Sequence, residues 1–226
     1  MTSKARRADR REQALSQETI VNAAIRLLDE AGEGGLTFRA LAERLSTGAG
    51  AIYWHVANKD ALLVAATDRV ISGAIADSAR AAAASETIRA VAIGVFDAID
   101  AHPWVGAQLA RAQPPSPMLK IFERIGRAVE RLGVSYAGQF SAVTTLVNYI
   151  LGVGSQNAAN AVHAKTHWSQ PNRREFLSAM AGAWAALDAD EYAFTRTMAA
   201  PLREHDDRAH FLSGIELIVA GIQHSA

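Results

Sequence analysis

Apolar positions recur at helical spacing along nearly the whole chain, and they nowhere alternate for long enough to predict a strand. Ser16 stands where it can cap a first helix whose apolar positions Ile20, Ala23, Ala24, Leu27, Leu28 and Ala31 form one stripe. Gly32 predicts its stop and Gly34-Gly35 a loop. Thr37 predicts the cap of a short second helix with Phe38, Leu41, Ala42 and Leu45 on one face. Ser46-Thr47-Gly48 interrupts the pattern, and a third short helix is predicted over 49–56. Asn58 then caps a fourth, which carries Leu62, Leu63 and Val70 and runs into the alanine-rich 79–84 segment.

The same periodicity continues at greater length. Ser85 precedes a helix with Ile88, Val91, Ala92, Val95, Phe96 and Ile99, ended by His102-Pro103. Pro103 can open a short helix at Trp104. Pro114-Pro115-Ser116-Pro117 is a break, after which Ser116 and Pro117 start a helix through Ile121, Phe122, Ile125, Val129 and Leu132 to Gly133. A long helix is predicted over 136–164 and a polar loop over 167–172. Then come a helix holding Phe176, Met180 and Trp184, a weakly helical stretch over 192–203, and a last helix over 207–223. The pattern predicts an all-α fold of three short helices followed by six or seven longer ones.

Two short helices joined by a tight glycine-containing turn are a helix-turn-helix, whose second helix can enter a DNA major groove. At about 100° per residue, Ile52 and Val56 mark the inward face of the third helix. Gly50, Ala51 and Trp54 fall opposite, with Tyr53 and His55 at the flanks. Outward aromatics beside Lys59 suit an anionic, hydrated surface, where Tyr and Lys donate to phosphates and rings pack on sugars and thymine methyls.

Composition narrows the picture in a few places. The 226 residues are half apolar, with no cysteine and a formal net charge of zero. Disulfides and thiolate chemistry are therefore excluded, and a cytoplasmic protein is expected. No apolar stretch approaches the roughly 18 residues of a membrane span, so no membrane partner is assigned. Residues 1–11 hold Lys4, Arg6, Arg7, Arg10 and Arg11 against Asp9, which reads as a solvated tail or as a phosphate-binding arm. No nucleophile–base or paired-carboxylate constellation is visible, and the chain is not read as an enzyme.

The stretch from Ser16 to about Ala66 resembles the DNA-binding domain of the TetR family of transcriptional repressors. The residues that carry the resemblance are GLTFRALAERL at 35–45 and AIYWHVANKDALL at 51–63, the second being similar to the tetracycline repressors' own subgroup. Beyond it the likeness is looser, resting on helix number and on His-Pro-Trp at 102–104. The resemblance implies a homodimeric all-α repressor that binds palindromic double-stranded operator DNA and is released by a small-molecule effector. It divides the chain into a basic arm at 1–15, a helix-turn-helix domain at 16–66 and an effector-binding and dimerisation domain at 67–226. It implies that Arg39 reads guanine, that Ala49, Gly50, Ala51, Tyr53, Trp54 and His55 meet bases and phosphates, and that Lys59 meets a phosphate. Gly-Ala-Gly-Ala at 48–51 departs from the pattern, since it offers no side-chain hydrogen bond to a base. Base reading by hydrogen bonds then falls on Arg39, at about 1–3 kcal/mol of discrimination for a bidentate contact.

For the larger domain, an effector cavity needs inward rings and a few polar groups. The candidates are Phe96, His102, Trp104, Phe122, Asn148, Tyr149 and Asn157. His163 and His167 share a helical spacing, but Ala164 stands where the zinc-protease signature needs Glu, so neither metal nor cofactor is assigned. Tetracycline repressors bind their drug through magnesium; those ligands do not align with residues of this sequence, so tetracycline itself is not assigned as the effector. The helices at 136–164 and 207–223 are expected to pair with their twins across a dimer axis.

Overall fold

The computed structural model describes residues 15–111, 116–167 and 173–224, with side chains through residue 160 in the second stretch. The basic arm at 1–11, Pro114-Pro115, the side chains of His163 and His167, and the segment 168–172 lie outside the described residues. Every regular element described is helical.

Side-chain caps start three of the first four helices. In α1 (Gln17–Gly35) the Ser16 Oγ accepts the Thr19 N–H at 3.1 Å. Gly32 takes φ +63, the predicted break, although one further turn follows it. In α2 (Phe38–Arg44) Thr37 accepts from the Ala40 N–H at 3.1 Å. In α4 (Lys59–Ala74) Asn58 accepts from the Ala61 N–H at 2.8 Å. Each cap satisfies one of the N–H groups that a helix start leaves free.

Two further helix ends differ from the sequence reading. Helix α3 (Ala49–Tyr53) stops at Tyr53 rather than 56. The Asn58 cap requires extended backbone (φ −160, ψ 176), so the chain must leave the helix first. Helix α4 stops at Ala74 and does not continue into 79–84. Ile75 turns into the core, and a 3₁₀ turn (Ala76–Arg80) follows in which Ser78 Oγ donates to the Ile75 carbonyl at 2.6 Å.

The remaining elements are α5 (Ala84–Ala101), α6 (Trp104–Leu109), α7 (Met118–Arg131), α8 (Tyr136–His167), α9 (Arg173–Ala185), α10 (Ala193–Thr197), α11 (Ala199–Arg203) and α12 (Asp207–His224). Helix α5 begins before Ser85, because the Glu86 carboxylate, rather than the serine, accepts the Ala83 N–H at 3.3 Å.

Helices α5, α7 and α8 pack on one another around Ile88, Val91, Val95, Ile99, Ile121, Ile125, Val129, Leu146 and Ile150. Full burial of each such side chain stabilises by about 1.5–3 kcal/mol. Helix α12 adds Phe211, Ile215 and Val219 against α5 and α8. The N-terminal helices close over Ile20, Leu28, Leu41, Ile52, Leu62 and Leu63. Helix α4 belongs to both groups, packing on α1 and on α5. Its end meets α5 backbone to backbone: a Cβ placed on Gly94 would lie 2.1 Å from the Ala74 carbonyl oxygen. Among the described residues no helix is long and apolar enough to cross a membrane.

Candidate functional site

The turn between α2 and α3 is built from Leu45 to Gly48, with Ser46 at φ +52 and the Thr47 N–H on the Ala42 carbonyl. Gly48 caps α3 with backbone alone. Ile52 and Val56 are buried, so α3 sits inward-face down as the wheel predicts. Trp54 is 90% exposed. Tyr53 is half exposed, and its ring lies flat on Phe38, centroids 4.3 Å apart at 3°. That stack ties the end of α3 to the start of α2 and holds the phenol at the rim. Ala49, Gly50 and His55 are exposed. Ala51, expected on the outer face, is half buried against the core, since five residues give α3 little face to divide.

The cations around this ridge differ in how free they are. Arg39 is exposed and, among the described residues, holds only Glu43, four residues on, at 3.1 Å. Such an exposed pair is worth about 0.3–0.5 kcal/mol, so the guanidinium is available at little cost. Lys59 is half buried, and its Nζ donates to the Glu33 carbonyl at 2.6 Å. It faces the end of α1 rather than open solvent, a placement the sequence reading did not foresee.

The end of α1 carries Asp29, Glu30 and Glu33, which are out of place there because a helix C-terminus is itself negative. All three have donors from elsewhere. Glu30 takes both guanidinium nitrogens of Arg44, which hold its carboxyl below the usual carboxylate range. Asp29 Oδ1 lies 2.7 Å from His102 Nδ1 and accepts the Trp104 indole N–H at 2.8 Å. Glu33 accepts from the Gln108 amide at 3.0 Å and from Arg111 at 2.8 Å. The short helix α6 is thus latched to α1 by two carboxylates one turn apart. Sequence reasoning missed Asp29, Glu33, Gln108 and Arg111 in this role. The available signal was an acidic cluster where the helix dipole disfavours one.

The seven effector candidates do not converge on one cavity. His102 and Trp104 turn to Asp29, as described. Phe96 and Tyr149 both stack on Phe211, at 4.6 and 5.6 Å, and the Tyr149 hydroxyl donates to the Phe211 carbonyl at 3.3 Å. Burial raises the Tyr149 hydroxyl above the ordinary tyrosine value. Gly214 makes that seat, because a Cβ there would lie 1.8 Å from the Tyr149 oxygen. Asn148 is exposed on α8. Asn157 donates to Asp100 at 3.1 Å on the surface. Phe122 tilts against Phe140 and lines a groove of about 840 Å³ between α7 and the start of α8, where Tyr136 and Phe140 are also exposed. A second groove, of about 580 Å³, runs between the end of α4, the 3₁₀ turn, α5 and α7, and none of the seven lines it.

Residues 20–66 match the family model for bacterial regulatory proteins, tetR family, and residues 81–226 match that for the tetracyclin repressor-like C-terminal domain. An HTH-type transcriptional regulator of Saccharopolyspora erythraea is 30% identical over 215 residues, covering 94% of this chain and 86% of its own. The tetracycline repressor class A from transposon 1721 of Escherichia coli is 47% identical, but over 58 residues, or 26% of this chain and 27% of that one. The structure of the transcriptional regulator SCO7222 from Streptomyces coelicolor superposes with a TM-score of 0.85 at 47% identity, over 93% of this chain and 99% of that one. ActR from Streptomyces coelicolor, solved in complex with actinorhodin, shares the fold at a TM-score of 0.74 and 22% identity, over 94% and 97% of the two chains.

Proposed function

We propose, from the premise that this chain belongs to the TetR family of bacterial regulatory proteins and is a DNA-binding transcriptional regulator, that it is a homodimeric repressor released from a palindromic operator by a small molecule. The observation that carries the reading is the disposition of α3: a bare Gly-Ala-Gly ridge outside, Trp54 projecting beside it, and Tyr53 braced on Phe38. A ridge without long side chains lets backbone approach the duplex closely, and the rings supply contact to sugars and thymine methyls. Arg39 then reads a base, while Tyr53 and His55 hold phosphates. Lys59 reaches a phosphate by leaving the Glu33 carbonyl.

Dimerisation falls to α8 and α12. Their outer faces hold Ser141, Thr145, Asn148 and Gly152 on one helix and Leu217, which is 75% exposed, on the other. On this reading Asn148 is an interface residue rather than an effector ligand. A two-fold dimer sets the recognition helices about 34–36 Å apart, one DNA turn. An effector acts only through its differential affinity for dimer geometries that do and do not keep that spacing. The carboxylate latch between α1 and α6, and α4 itself, carry the difference from one domain to the other.

Selection of bound DNA from a random pool tests the reading. It should yield an inverted repeat, with Arg39→Ala relaxing preference at one base pair per half-site and Lys59→Ala weakening all sequences alike and flattening the salt dependence. Recovery of no repeat, or a monomer by light scattering at micromolar concentration, would overturn it.

A further inference from the structure

We infer that the groove bounded by α4, the 3₁₀ turn, α5 and α7 is built to take an amphipathic organic anion, a carboxylate on an apolar body, as the effector of this regulator. The inference rests on the reading that the larger domain binds an effector, and it names the chemical class. Lys120, Arg124, Arg127 and Arg131 follow one another at spacings of four, three and four, which puts them on one face of α7. All four line the groove, against one acidic lining residue, Glu123. Ile75, Ala76, Ala79 and Ala128 give it an apolar floor. In a chain of zero net charge, this concentrates positive potential in one concavity of a size typical for small ligands.

The four cations are unequally compensated. Arg127 is paired with Glu123 at 2.5 Å. Lys120 holds Asp68 at 2.6 Å and the Ser72 hydroxyl at 2.8 Å, both on α4. Arg131 donates to the neutral Ala82 carbonyl. Arg124 is half buried and has no hydrogen bond or ion pair among the described residues. An uncompensated guanidinium in a partly dry wall favours a bidentate oxyanion. The same site reaches the DNA-binding domain: an anion drawn to Lys120 competes with Asp68, and so weakens the hold of α7 on the helix that begins at Lys59.

The test uses the full-length dimer and paired probes with one body and two heads: 2-naphthoate against 2-naphthamide, and dodecanoate against dodecanol. Calorimetry gives binding, and fluorescence anisotropy gives release of the selected operator. The acids should bind at least about tenfold tighter than their neutral twins. Arg124→Gln should weaken acid binding by about tenfold or more, and Arg124→Lys should restore part of it. Arg89→Gln, which removes a surface cation paired with Glu216 elsewhere on α5, should change nothing. Operator binding by each variant without probe serves as the check on folding. Equal binding of acid and neutral twin, or acid binding untouched by Arg124→Gln, would overturn the anion site. Release by the neutral probes alone would overturn it while leaving the effector reading intact. Acid binding through Arg124 without operator release would keep the site and remove the effector reading.

Discussion

Replacing Asp29 with Ala should detach α6 from α1, and the size of the effect can be worked out in advance. Asp29 receives two groups, His102 Nδ1 at 2.7 Å and the Trp104 indole N–H at 2.8 Å. Trp104 is buried, so removing its acceptor strands a donor away from solvent, at about 1–3 kcal/mol. His102 is more open, and water can replace part of its bond. The neighbouring Glu33–Arg111 pair is about half exposed on the arginine side and adds about 1 kcal/mol or less. The latch therefore resides mostly in the carboxylate–indole contact, and Asp29→Ala should lower unfolding stability by about 1.5–3 kcal/mol. Asp29→Asn keeps an acceptor and should lose roughly half as much. A double-mutant cycle with Trp104→Phe isolates the contact, because Phe keeps most of the ring and drops the donor. Measured by urea unfolding at fixed protomer concentration, the coupling energy should be about 1 kcal/mol. Simple additivity of the two substitutions would refute the reasoning, since each would then act on something other than the other.

Other expectations follow from single features. Trp54→Ala should leave thermal stability within about 0.5 kcal/mol, because the ring touches little, yet weaken operator binding by about tenfold in an anisotropy titration. Gly94→Ala drives a Cβ against the backbone of Ala74, which cannot swing aside, and should cost about 1–3 kcal/mol in a thermal melt while displacing the end of α4. Burial raises the Tyr149 hydroxyl above its unfolded value. Its protonated form therefore supports the fold below about pH 10, and that support fades as pH climbs through the raised value. Comparing unfolding at pH 8 and pH 11, Tyr149→Phe should lose less stability between the two than the parent protein.

What could be read from the sequence was local. The Ser16, Thr37 and Asn58 caps each form within three residues of the capping side chain, so a short window holds the whole interaction. The orientation of α3 was legible for the same reason, Ile52 and Val56 inward and Trp54 outward. The end of α4 was not, because alanine propensity at 79–84 favours a helix while the burial of Ile75 and the Gly94 crossing, decided by distant residues, stop it. The hold of Asp29 on His102 and Trp104 was not legible, because the partners lie more than 70 positions apart and leave no periodic trace. Lys59 illustrates the same limit: its motif was recognisable, its hold on the Glu33 carbonyl was not.

The glycines of the recognition ridge carry one more implication. A Cβ at Gly48 or Gly50 would meet no atom within 4 Å, and neither position has the left-handed backbone that would forbid one. Larger residues can enter there by single codon changes without repacking the domain. Descendants of this chain could thus acquire new target promoters while the scaffold, and whatever it senses, stays as it is.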